Sequence, residues 1–369
     1  MLGKHTFTSI IMSLLSLSGC AREGDHVALN LACNGCPPLY NVGFQELTFV
    51  DSTRGRTLKT AIWYPTVEGQ AGSPDEFVGG KPNLSGGPFP LIMCSHGFGS
   101  ANREATVYKR EWVRHGFVVV APDHQKGTGY DLDLDYLAEI QFARPLDIRY
   151  VLDQALALNG DSASFLHAMI DPDAIGIMGE SFGGHTTLMV AGATPNLDYL
   201  AEYCQANYDR WDICPLQDEI QALYPGQRII DLSDPRMKAA LPIVADGYGW
   251  FLQSGMAKIK IPIMLMGSEK DIGAPPDEQQ RPMYRGIVST KYLFIQNDAD
   301  HLSYGDGCGY DIDRLSTCSA LHAQSIPATT AFWMLHLKND PVCGDPLRTC
   351  VPFLPGVELT SAMPDGGAG

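Results

Sequence analysis

From residue 90 to residue 337, short apolar runs alternate with helix-length segments, and this rhythm constrains the fold more than any other feature of the chain. Continuous apolar runs suit strands buried on both faces, which a parallel sheet covered by crossover helices requires. Strands are expected at 90–95, 117–122, 174–178, 239–245, 262–267 and 292–296, and helices near 103–114, 140–158, 182–193 and 325–337. Ahead of them, 44–50 and 58–64 read as strands joined by a turn at 51–55, followed by a Gly-, Pro- and Ser-rich loop at 69–87. The expected fold class is α/β, with a mostly parallel central sheet flanked by helices. Between 194 and 235 the rhythm breaks in a stretch holding Cys204, Cys214, Trp211 and several tyrosines. Such an insertion, emerging near the carboxyl edge of a sheet, reads as a lid or pocket wall, or else as an elaboration remote from any site.

The first twenty residues read as an address. Lys4 is followed by a mostly apolar stretch at 7–17, too short to span a bilayer, which ends in Leu17-Ser18-Gly19-Cys20. That quartet resembles a bacterial lipobox, which makes residues 1–19 a lipoprotein signal peptide and Cys20 the lipidated first residue. The other reading is an ordinary signal peptide with a cysteine at its end. Residues 20–41 then form an anchor and tether, 42–340 one catalytic-sized domain, and 341–369 a C-terminal tail. A cell-envelope lipoprotein, periplasmic or on the outer surface, is expected, with the anchor as its membrane contact. The formal net charge of -16 leaves no basic surplus to neutralise phosphates, so nucleic acid is excluded as a partner.

The ten cysteines fit an oxidising compartment. With Cys20 assigned to lipid and Cys94 inside an apolar run, nearest-neighbour pairing predicts Cys33–Cys36, Cys204–Cys214, Cys308–Cys318 and Cys343–Cys350. Cys33-x-x-Cys36 also has redox or zinc spacing, but no second ligand pair accompanies it.

Chemistry enters with Gly179-Glu180-Ser181-Phe182-Gly183-Gly184, which lies between an apolar run and a helix-like segment. A bare G-x-S-x-G is weak, because 38 glycines would yield one by chance in about a quarter of such chains. Its place in a strand-to-helix turn strengthens it: small neighbours allow strained dihedrals at Ser181 and hold the hydroxyl out above the sheet. Acyl transfer also needs oxyanion donors, a base and an acid that orients the base. Ser95-His96-Gly97-Phe98-Gly99 follows an earlier strand, and the backbone N–H groups of Phe98 and Phe182 are the expected donors. Among the ten histidines, His301 follows the last expected strand in a loop-like stretch and is the expected base. His185, one helical turn beyond Ser181, reads as packing or pocket wall. Two aspartates end strands in the right interval: Asp271, favoured by the chain order Ser, Asp, His, and Asp246. This chemistry needs no metal and no organic cofactor.

Residues 44–340 resemble α/β-hydrolases of the platelet-activating factor acetylhydrolase and dienelactone-hydrolase-like group. The match lies in Ser95-His96-Gly97-Phe98-Gly99, Val118-Val119-Val120-Ala121-Pro122-Asp123-His124, Arg144-Pro145-Leu146-Asp147-Ile148 and the Gly179 to Gly184 motif. Asp271-Ile272-Gly273-Ala274-Pro275 is similar to the acid-bearing stretch of cutinase-like polyester hydrolases, which implies Asp271 as the acid. Animal-type acetylhydrolases imply Asp246 instead. Glu180 departs from the His or Trp typical of these relatives. It faces either a structural partner or the pocket, where it would disfavour anionic acyl groups. The resemblance implies an α/β-hydrolase that cleaves short-chain or acetyl esters, including lipid esters, with a polyester hydrolase as the enzymatic alternative. A reading of another class is a surface lipoprotein that uses the fold for binding alone.

Weaker signals remain. Asp131, Asp133 and Asp135 alternate like a calcium loop but lack its turn glycine, so a solvated turn is expected. His96, Tyr248, Trp250 and Tyr304, with Phe251, are candidate pocket residues beside the acids and base in sequence.

Overall fold

The computed structural model describes residues 36–364 except 71–72, 74, 207–213, 307–314, 345, 350 and 352–353. The segment 1–19 read as a signal peptide, Cys20, Cys33, Cys308, Cys350, Tyr208 and Trp211 lie outside the described residues.

Two long antiparallel strands, β1 (Asn41–Asp51) and β2 (Arg56–Thr66), open the sheet, and β3 (Glu76–Val78) pairs in parallel with β1 at its edge. The central strands are β4 (Phe89–Ser95), β5 (Val118–Pro122), β6 (Ile170–Glu180), β7 (Met237–Ile243), β8 (Ile263–Ser268) and β9 (Lys291–Gln296). A last strand, β10 (Val357–Ala362), adds antiparallel to β9. The order is β10-β9-β8-β7-β6-β4-β5-β2-β1-β3, so a parallel run from β5 to β9 sits between antiparallel flanks. This is an α/β architecture built on a mixed sheet.

Alternation along the strands fills two core layers, as the period of two demands. Leu91, Met93, Val118 and Val120 face one layer with α2 (Leu137–Gly160), α3 (Phe182–Ala191) and α6 (Tyr248–Met256). Ile92, Cys94, Val119 and Ala121 face the other with α1 (Thr106–Arg114) and α8 (Leu315–Leu337). There Trp112 and Trp333, both fully buried, meet edge to face at 5.9 Å. Large side chains buried in this way stabilise the fold by about 1.5–3 kcal/mol each. β4 has β5 on one side and β6 on the other, so the chain reverses its direction of growth there. The loops leaving the carboxyl ends of β4 and β6 diverge at that point and open a crevice.

Several expectations change. β3 lies inside the stretch read as a loop at 69–87; three residues are too short to show a period. α8 starts at Leu315 and runs through Pro327, about ten residues ahead of the helix expected near 325–337. Helices α4 (Leu197–Ala206), α5 (Gln217–Leu223), α6 and α7 (Gln280–Gly286) were not anticipated. The stretch read as a tail supplies β10. The disulfides differ most: Cys204–Cys214 forms as paired from the sequence, but Cys36 bonds to Cys343 across 307 residues. That bond corrects both the Cys33–Cys36 and the Cys343–Cys350 pairings, because the segment before β1 packs beside the helix end at 343 rather than closing on itself. The inserted segment closes at its base through Leu197 N–H to Arg228 O (2.9 Å) and Ile230 N–H to Pro195 O (3.3 Å). It packs on the domain through Tyr224, whose ring centroid lies 4.6 Å from that of Phe142 in α2.

Candidate active site

Ser181 sits between the end of β6 and the start of α3 with φ 52° and ψ -119°, a backbone conformation that side chains other than glycine rarely adopt. The turn exists because its neighbours lack side chains: a Cβ on Gly179 would lie 2.0 Å from Gly183 O, and one on Gly183 would lie 1.9 Å from Ser95 O. Ser181 N–H donates to Ile243 O of β7 at 2.9 Å, which pins the turn to the sheet.

Two further loops bring polar groups to the same edge. His301 follows β9 and Asp271 follows β8, and these strands are direct neighbours, with Ser268 opposite Gln296. His301 Nδ1 lies 2.7 Å from Asp271 Oδ2, and His301 Nε2 lies 2.8 Å from Ser181 Oγ. Asp271 is buried, and its Oδ1 accepts the N–H groups of Gly273 and Ala274, each at 2.8 Å. Burial works against a charge on His301, but the hydrogen bond and charge of Asp271 outweigh it and hold the imidazole above its ordinary value of 6.5. Asp246, after β7, adds to that effect through its charge.

The loop after β4 faces Ser181 from the other side of the crevice. Among the described residues, the amides of Phe98 and Phe182 donate to no protein acceptor, while those beside Phe98 are engaged: Gly97 N–H to Glu104 Oε2 at 2.6 Å and Gly99 N–H to Gly127 O at 3.1 Å. Arg144, fully buried, donates to the carbonyls of His96 (2.5 Å) and Gly97 (3.3 Å) and lies 4.3 Å over the Phe182 ring. Glu180 points inward, 4% exposed, where it meets Glu104. Sequence reasoning missed Glu104, whose place beside Gly97 depends on a loop that no periodicity marks.

A second serine–histidine–aspartate line was also missed, although the quoted motifs contain its members. Ser95 Oγ lies 2.9 Å from His124 Nε2, and His124 Nδ1 lies 3.0 Å from Asp147 Oδ2. All three are closed to solvent, and Asp147 also accepts from Arg56 and Arg54. Burial, joined by the charge of Arg144, pushes His124 down to about 4 against the pull of Asp147.

Of the remaining candidates, all but Tyr248 and the aspartates at 131–135 are buried. Tyr304 is fully buried and donates to Gly267 O at 2.8 Å, so it props the end of β8 rather than lining an open pocket. Trp250 and Phe251 belong to the core, where both rings pack on His185, at 5.3 and 5.1 Å. Burial, with Arg144 nearby, pushes His185 down to about 3. His96 is buried, donates from Nδ1 to Gly97 O (2.8 Å) and accepts His124 N–H at Nε2 (3.0 Å). Tyr248 is half-buried at the start of α6. Asp131 accepts the N–H groups of Lys126 and Thr128, so it serves a turn. Around the crevice, Phe98, Ile272 and Leu302 are 44%, 95% and 60% exposed and give it an apolar rim.

No protein-family model matches the chain. It is similar to cutinase est1 of Thermobifida alba, with 24% identity over 217 residues, 58% of this chain and 54% of that protein. It is equally similar, at 24% identity over 208 residues, to cutinase 2 of Thermobifida cellulosilytica and cutinase cut1 of Thermobifida fusca, covering 56% of this chain and 58% and 47% of those proteins. The chain spans about half the length of the curated relatives it matches. This distant similarity supports a cutinase-like α/β-hydrolase.

Proposed function

We propose that the chain is a serine hydrolase of the α/β-hydrolase fold that cleaves carboxylic esters through an acyl-enzyme. The observation that carries this reading is the line from Asp271 through His301 to Ser181, with 2.7 and 2.8 Å contacts, at the carboxyl edge of a parallel sheet. Ser181 Oγ attacks the ester carbonyl as His301 Nε2 takes its proton; the imidazolium then protonates the departing alkoxide, and water repeats the sequence to release the acid. Asp271 holds the imidazole with its proton on Nδ1, and the amides of Phe98 and Phe182 stabilise the oxyanion.

The substrates are short-chain or acetyl esters with apolar character, lipid esters among them. The apolar rim of Phe98, Ile272 and Leu302 supports that class. The same rim, with the cutinases among its relatives, favours polyester hydrolysis as a second reading. The inserted segment forms a wall of the crevice, and Cys20 anchors the protein by lipid to a membrane in the cell envelope; the Cys36–Cys343 and Cys204–Cys214 disulfides fit that oxidising location.

Ser181→Ala should abolish hydrolysis of a chromogenic acetyl ester and labelling by an organophosphonate, whereas Ser95→Ala should keep the labelling and lower hydrolysis at most modestly. Undiminished turnover by Ser181→Ala would end the serine-hydrolase reading at Ser181 and point to another centre, whereas wild type without turnover would favour a binding protein. A series of model esters of increasing acyl length then ranks the substrates.

A further inference from the structure

The loop that carries the Phe98 amide is clamped from two sides. Arg144 holds the carbonyls of His96 and Gly97, and Glu104 holds the Gly97 N–H at 2.6 Å. Glu104 in turn hydrogen-bonds to Glu180, the residue before Ser181. The fit is close: a Cβ on Gly97 would come within 2.5 Å of Glu180 Oε2 and 3.4 Å of Glu104 Oε2. An ionised carboxylate only accepts, so two carboxyl groups can bond only when one of them keeps its proton. Glu180 is the group positioned to keep it. Burial first, then the charge and hydrogen bond of Glu104, with Asp271 and Asp246 adding negative charge, hold it well above the ordinary carboxylate range.

Resting on the esterase reading above, we propose that Glu180 is a positioning residue: its O–H donates to Glu104, Glu104 accepts the Gly97 N–H, and this chain sets the Phe98 amide for the oxyanion. It touches no reacting atom. Ionisation of Glu180 would leave two like charges with no proton between them, and the clamp on Gly97 would loosen. Asp271 and Asp246 would add to the repulsion, while Arg144, Lys109 and His301 feel the charge of Glu104 from their own elements. Arg144 keeps its hold on the carbonyls throughout, so the loss falls on the amide side of the loop.

The test measures kcat and KM on one activated acetyl ester from about pH 6 to pH 10 for wild type, Glu180→Gln and Glu180→Ala, with Ser181 phosphonylation and thermal melting alongside. Glutamine can donate to Glu104 and cannot ionise, so Glu180→Gln should recover most of the wild-type kcat while losing an alkaline fall that wild type shows. Glu180→Ala should lower kcat roughly 10- to 100-fold with little change in KM, the scale expected when a catalytic donor is misplaced by a fraction of an ångström. If Glu180→Ala does not fold, the comparison of Glu180→Gln with wild type still decides. An alkaline fall retained in Glu180→Gln, or absent from wild type, would overturn the proposal while leaving Ser181 labelling and ester hydrolysis in place. Wild type that neither hydrolyses esters nor labels at Ser181 would remove the esterase reading, and this inference with it.

Discussion

Asparagine at position 271 offers the sharpest test, because the structure dictates how it would sit. Oδ1 of Asp271 receives two backbone N–H groups at 2.8 Å, while Oδ2 meets His301 Nδ1 at 2.7 Å. Only an oxygen can occupy the point where two N–H donors converge, so the asparagine carbonyl takes it and the NH2 turns to His301. A donor facing Nδ1 selects the tautomer with its proton on Nε2, the nitrogen that must accept the proton of Ser181. The folded structure should survive with the proposed base disabled. Such a swap lowers kcat by about 10⁴, or roughly 5 kcal/mol of transition-state stabilisation. Asp246 reaches His301 through its charge, so Asp246→Asn should cost less than about tenfold, the scale of a partly screened charge. The assay is kcat of both variants on one activated ester, with circular dichroism to establish folding. A collapse for Asp246→Asn beside a mild effect for Asp271→Asn would refute the tautomer argument and make Asp246 the acid.

Two further outcomes follow from the same geometry. His301 must be neutral to accept a proton, and its value is raised above 6.5, so the acid limb of kcat/KM should have its midpoint above 6.5 and activity should rise with pH through it. Asp271→Asn removes the charge that supports the imidazolium and should move that midpoint down; a midpoint that stays put in a pH titration would contradict the assignment. Cys36→Ser should destabilise the fold by about 2–5 kcal/mol in denaturant unfolding, because the Cys36–Cys343 bond closes almost the whole domain, and kcat of the folded enzyme should stay within about twofold.

What could be read beforehand follows the range over which each signal acts. Central strands such as Val118–Pro122 are buried on both faces, and continuous apolar runs announce that directly. Ser181 was legible because its turn needs glycines at fixed offsets, and His301 because it follows a strand in a loop. Asp271 was favoured over Asp246 by chain order alone, since both are strand-end aspartates with similar local chemistry. What separates them is sheet order: β8 lies directly beside β9, so the loops bearing Asp271 and His301 touch, whereas β7 is one strand further away. Cys36–Cys343 was hidden for a related reason, as spacing speaks only for near neighbours. Glu104 had no local signal at all, because its meaning arises only when the loop after β4 folds back over it.

The two serine–histidine–aspartate lines show why hydrogen-bond distances alone do not make a catalytic site. Ser95, His124 and Asp147 are linked at 2.9 and 3.0 Å, nearly as closely as Ser181, His301 and Asp271. A general base must gain a proton as the nucleophile attacks, so the surroundings have to favour the imidazolium. At His301 they do: the ring is 28% exposed and Asp271 raises its affinity for the proton. At His124 they do not, because the ring is sealed from water, Arg144 and Arg56 repel a positive charge, and Asp147 is already engaged by Arg56 at 2.6 Å. Ser95 also has no route to a substrate. What it can do is mechanical: through His124 and Asp147 it ties the end of β4, from which the Phe98 loop springs, to the middle of α2. Arg144, one turn earlier in α2, holds the carbonyls of that same loop. On the proposed assignment the buried line braces one wall of the crevice in which the exposed line would act, and burial and charge, more than residue type, divide the two.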